Sequence, residues 1–155
     1  MAHKIFYNLY SKLLERIISL KIIVCLDDGG GMTFNKRRQS RDRILLADIK
    51  SMTEGETLFA SPFSEKLLSE QKIDAKIKKD PLKKADRNDF CFIEDIPVRP
   101  FLSEINEIII YKWNRRYPTD MTFDILPLSD GFTLSSVAEF AGSSHEKITK
   151  EIYTK

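Results

Sequence analysis

The sequence predicts an α/β fold, a single-domain sandwich with a mixed sheet flanked by helices. Three observations carry this expectation. The continuous β-branched run KIIVCL (21–26) suits a buried central strand, and IIIYKW (108–113) is the second strongest strand. Helical and strand periodicities alternate along the chain. A length of 155 residues suits one domain, burying roughly 70% of its unfolded surface, whereas two domains would each be marginal.

Residues 4–19 place Phe6, Leu9, Leu13 and Ile17 on one helical stripe opposite Lys12, Glu15 and Arg16, so residues 1–20 read as an amphipathic N-terminal helix, an extension ahead of a domain at 21–155. The first strand follows and gives way to the stretch LDDGGGMTFNKRRQSRDR (26–43). Ser40 is the expected N-cap of the next helix, with Asp42 in its first turn and Leu45, Ile49 and Met52 as its apolar stripe. Gly55 ends that helix, TLFAS is a strand, and Ser61-Pro62 starts a helix running to about Gln71.

Residues 72–88 lose periodicity and read as a solvated, lysine-rich connection. DFCFIED is a strand. FLSEINEI is a short helix after the prolines at 97 and 100, and MTFDI is a weak strand. Asp130-Gly131 makes a turn before FTLSSVAEF. Ser143 and Glu146 form a capping box that opens a last helix through Ile148 and Ile152.

Composition excludes several classes. Hydrophobic residues at 42% and charged residues at 31% describe an ordinary globule rather than a disordered chain. Cys25 and Cys91 both lie in apolar runs without CxxC spacing, which suits buried thiols of a reducing compartment. Two histidines leave little for a zinc site. No secretory signal or membrane span is evident, and a cytoplasmic protein is expected. Net charge is only +2, but segments 36–43, 76–87 and 112–116 hold 14 of the 25 basic residues, so positive charge is local.

The stretch 26–43 follows a strand and precedes a helix, where ligands commonly sit in open α/β sheets. Glycines there permit close approach, and Asn35, Arg37, Arg38 and Arg41 can contact phosphates. Neither GxGxxG nor a Walker lysine is present. Asp27 and Asp28 form a second candidate, a Mg²⁺ site bridging carboxylates to a phosphate ligand, with Asp42 or Asp124 in support. In YKWNRRY (111–117), aromatics alternate with bases. Arg115 and Tyr117 read as exposed stacking and phosphate contacts, while core packing is favoured for Trp113. His145 beside two serines invites a nucleophile–base reading, but the capping box explains those serines better. His145 and Lys147 keep a place as anion contacts at a helix start.

The stretches GGMTFNKRRQSRDR, CFIED, YKWNRRYPTD and GSSHEKITKEIY together resemble a small bacterial family of Firmicutes type, over residues 21–155, whose members are sometimes labelled ribonuclease Z. That label implies a metallo-β-lactamase fold with an HxHxDH cluster. With only His3 and His145 the chain lacks the cluster, so the activity does not carry over. A strand followed by Asp, glycine and Met before a helix is also superficially like dihydrofolate reductase. The rest of that enzyme's pattern is missing, so the likeness is not carried further.

Three functions compete: a binding protein for a nucleotide or short RNA, a Mg²⁺-dependent phosphodiesterase or nuclease, and a protein-binding module such as an immunity or antidefence protein. A homodimer through the N-terminal helix is a further expectation. Convergence of 26–43, 111–117 and 143–147 in space would favour a ligand site over separate surfaces.

Overall fold

The computed structural model describes residues 2–17 and 19–155, with side chains for 2–10 and 19–155. Helix α1 (Ala2–Ile17) leads into β1 (Leu20–Leu26), β2 (Gly31–Phe34), β3 (Arg37–Arg38) and helix α2 (Arg43–Thr53). Then come β4 (Leu58–Ala60), α3 (Glu65–Glu70), β5 (Lys76–Ile77), α4 (Pro81–Lys84) and β6 (Phe90–Phe92). The chain closes with β7 (Ile105–Lys112), β8 (Met121–Thr122), β9 (Thr133–Phe140) and β10 (Ile148–Thr154). Short 3₁₀ turns occupy Pro62–Ser64 and Arg99–Glu104.

A seven-stranded sheet runs in the order β5-β4-β6-β1-β7-β10-β9. The five strands β5 to β7 are parallel, and β10 and β9 are antiparallel additions. This is the expected mixed sheet. The run KIIVCL occupies its centre because Ile22 and Val24 enter one apolar layer and Ile23 the other, which only a strand covered on both faces permits. Helix α2 covers one face by packing Leu45, Leu46 and Ile49 beside Ile23, Ile109 and Tyr111.

Several expectations are corrected. The cap of α2 is Asp42, not Ser40: its extended backbone lets the carboxylate accept from the Ile44 and Leu45 amides. Residues 31–38, inside the stretch read as a direct strand-to-helix junction, form a hairpin. Asn35 and Lys36, at φ 49° and 58°, make its two-residue turn, the left-handed geometry that matches strand twist. The lysine-rich segment contains β5 and α4, anchored by buried Pro81 and Leu82.

FLSEINEI splits after Glu104, and its INEI half starts β7. The expected last helix is strand β10. Its Ile and Thr residues suit a strand, and it hydrogen-bonds to both β7 and β9, so tertiary pairing overrides the local capping signal.

On α1, Ile5, Phe6, Tyr7, Leu9 and Tyr10 are all exposed; the side chains of Leu13 and Ile17 lie outside the described residues. Among the described residues no helix is long and apolar enough to cross a membrane.

Candidate functional site

Strand β1 lies between β6, reached after an excursion through β4 and β5, and β7, which continues to the other side. The carboxyl ends of β6, β1 and β7 therefore meet at a topological switch point, the place where open α/β sheets hold ligands. Three segments converge there. The Asp28 amide donates to the Arg115 carbonyl (2.9 Å), and an Arg115 guanidinium N–H donates to the Ser144 carbonyl (3.4 Å). Residues 26–43, 111–117 and 143–145 thus form one structure.

Asp27 organises the first segment. Its buried carboxylate accepts from the Gly29, Gly31 and Tyr117 amides at 2.9, 2.7 and 3.1 Å and from the Gln39 side chain at 3.3 Å. A carboxylate with four donors is already satisfied. Asp28 is exposed, and Asp124 is engaged elsewhere by the Val98 and Arg99 amides. Among the described residues no group of three or more His, Cys, Asp or Glu side chains is placed to hold a metal ion.

The second hub is Asp42, 2% exposed. Besides capping α2, it accepts from the Ser143 and Ser144 amides (3.0 and 2.8 Å) and lies 3.1 Å from His145 Nδ1. Burial pushes its pKa up, but the Ser143, Ser144 and Leu45 amides and His145 outweigh burial and hold it well below the usual carboxylate range. Gly142 is required beside it, since a Cβ there would collide with the Asp42 carboxylate.

His145 is buried, and its ring stacks on Trp113 at 4.6 Å between centroids. Its Nε2 faces two hydroxyls, Ser40 Oγ at 3.1 Å and Tyr117 Oη at 3.0 Å. Trp113 is core, as expected. Its partner His145 has no helix start behind it, because the chain enters β10.

The neighbouring arginines have different fates because residues on a strand alternate in direction. Arg38 turns inward and donates two hydrogen bonds to Glu94, at 2.5 and 2.7 Å, while Ser64 donates to the same carboxylate at 2.7 Å. Its guanidinium also lies 5.2 Å from the Phe63 ring centre. Arg37 is exposed and has no carboxylate partner among the described residues.

A groove of about 530 Å³ is lined by Phe34, Asn35, Arg37, Arg38, Gln39, Tyr117 and Pro118. Of the expected ligand contacts it gathers Asn35, Arg37, Arg38 and Tyr117. Arg41 pairs with Glu70 (3.3 Å) and Lys147 with Glu139 (3.5 Å), both on the surface, and neither lines the groove.

Sequence reasoning missed Glu94 and Gln39, and it set Ser40 in the wrong role. Glu94, at the end of an apolar strand run, carried the one usable signal: an acid leaving a buried strand needs a cation.

No protein-family model matches the chain, and no curated protein sequence does. Among solved structures it is similar to a dihydrofolate reductase from Enterococcus faecalis complexed with NADP(H) and RAB-propyl, with a TM-score of 0.61 and 10% identity. The match covers 88% of this chain and 96% of that one. The chain shares the fold of that enzyme. The likeness that the residue pattern did not sustain therefore holds at the level of the fold, at 10% identity.

Proposed function

We propose that this protein binds a phosphate-bearing ligand, a nucleotide or a short RNA, in the groove between the β2–β3 hairpin and Tyr117. The supporting observation is that Arg37, an unpaired guanidinium among the described residues, shares this groove with Asn35 and the rings of Phe34 and Tyr117. Guanidinium recognises phosphate bidentately, and aromatic faces stack on bases. The similar reductase is complexed with NADP(H), a nucleotide, which is compatible with this reading. Arg38 contributes as a wall: its hydrogen bonds to Glu94 and its approach to Phe63 hold the hairpin in place.

Arg37→Ala should weaken binding of a fluorescent nucleotide or single-stranded RNA about tenfold at low salt, and should flatten the salt dependence by about one phosphate contact. Unchanged affinity at low salt would sink the reading. Thermal stability should not move, because Arg37 is exposed.

A further inference from the structure

We propose that Tyr117 is the nucleophile of a phosphodiester-transfer site, with His145 as its proton acceptor and Asp42 as the residue that positions His145. This rests on the groove being a phosphate-ligand site.

The geometry is a hydroxyl–imidazole–carboxylate chain. Asp42, held ionised, can only accept, so the 3.1 Å contact places the imidazole hydrogen on Nδ1. In the neutral imidazole Nε2 then carries the lone pair. Two hydroxyls reach it, but of the two only Tyr117 lines the groove that holds Arg37; Ser40 lines much smaller pockets with Cys25, Glu94 and Trp113. Stacking on Trp113 fixes the imidazole plane. A weak hydroxyl becomes a nucleophile when a base sits within hydrogen-bond reach and a third group orients that base.

In the first step Tyr117 Oη attacks phosphorus, the Oη–P bond forms and the bond to one ester oxygen breaks. The Oη proton passes to His145 Nε2 and then to the departing oxygen, which leaves as an alcohol. In the second step water attacks phosphorus, His145 takes its proton and passes it to Tyr117 Oη as the Oη–P bond breaks, which restores both residues. The sum is hydrolysis of one phosphodiester by one water. Arg37 lines the same groove, where a guanidinium would stabilise the added negative charge. No metal is needed to generate the nucleophile.

The test uses the full chain with bis(p-nitrophenyl) phosphate in EDTA, which carries no internal hydroxyl to act in place of Tyr117. Wild-type protein should release p-nitrophenolate and, when quenched early in acid, carry one p-nitrophenyl phosphoryl group on the peptide containing Tyr117. Tyr117→Phe should abolish the adduct and cut release about 100-fold or more. His145→Gln should do the same and recover in part with added imidazole, which a packing role would not allow. Asp42→Asn should lower kcat with little change in KM. Release undiminished in Tyr117→Phe, or lost in Ser40→Ala while Tyr117→Phe stays active, overturns the assignment. RNA binding by wild-type protein with no release and no adduct overturns this inference and leaves the binding reading standing. Release and adduct without nucleotide or RNA binding overturns the binding reading alone.

Discussion

Two clusters of paired carboxylates tie loops together in this protein, and they differ in their surroundings. At the carboxyl end of the sheet, Arg38 pairs with Glu94 at side-chain exposures of 24% and 8%, and Asp42 with His145 at 0% and 2%. In the other cluster, Arg99 donates to Asp130 at 3.1 and 3.2 Å, but its side chain is 55% exposed. In both clusters an arginine donates two hydrogen bonds to one carboxylate. Water ranks them differently, because it competes for every donor of Arg99 and for few around Glu94 or Asp42. In the first cluster a lost partner leaves the other group buried and unsatisfied; in the second, solvent replaces it.

The largest break in that comparison should come from Asp42→Ala. It removes the α2 cap and strands the Ser143 and Ser144 amides and His145 together, for a loss of about 3–4 kcal/mol in urea unfolding. Its pH dependence has a definite sign. The folded-state pKa lies below the ordinary Asp value of about 3.9, so the stabilisation is complete above that value and disappears as pH falls below it. Asp42→Asn should therefore flatten the loss of stability on acidification. An unchanged acid limb would show that other carboxylates carry it.

Glu94→Ala comes next. It leaves the Arg38 guanidinium half-buried and the fully buried Ser64 hydroxyl without its acceptor, at a cost of about 2–3 kcal/mol. Because Arg38 anchors the hairpin, this variant should also raise hydrogen exchange at Thr33 and Phe34, which pair with β3. Exchange unchanged there would uncouple the ion pair from the hairpin.

Smallest is Arg99→Ala. Its pair raises the Arg99 pKa and lowers that of Asp130, chiefly through their shared hydrogen bond, yet the site is open to solvent. No measurable change in Tm is expected. A clear drop would mean that the loop geometry at Asp124, rather than charge exposure, sets the worth of this cluster.

Much of the frame was legible in the residues. The run 21–26 announced the central strand, Leu45 and Ile49 announced the buried face of α2, and the α/β class followed from their order. The candidate site was legible in composition but not in assignment. Asn35, Arg37 and Tyr117 were singled out and do share a groove, while Arg38, three atoms of backbone away from Arg37, is committed to Glu94. Strand β10 was misread because Ser143 to Glu146 satisfies a local helix-start pattern; the competing signal, an unpaired edge on β7, exists only after folding.

The sequence by itself determined which segments must be buried, because apolar periodicity is a local property written every two or three to four residues. It also placed the basic and aromatic residues on the right loops. Only the tertiary structure decided what each charge does. Asp42 and His145 are 103 residues apart, Arg38 and Glu94 are 56, and Tyr117 donates its amide to Asp27 across 90. A buried charge takes whatever partner the fold delivers to it, and no spacing along the chain specifies that partner.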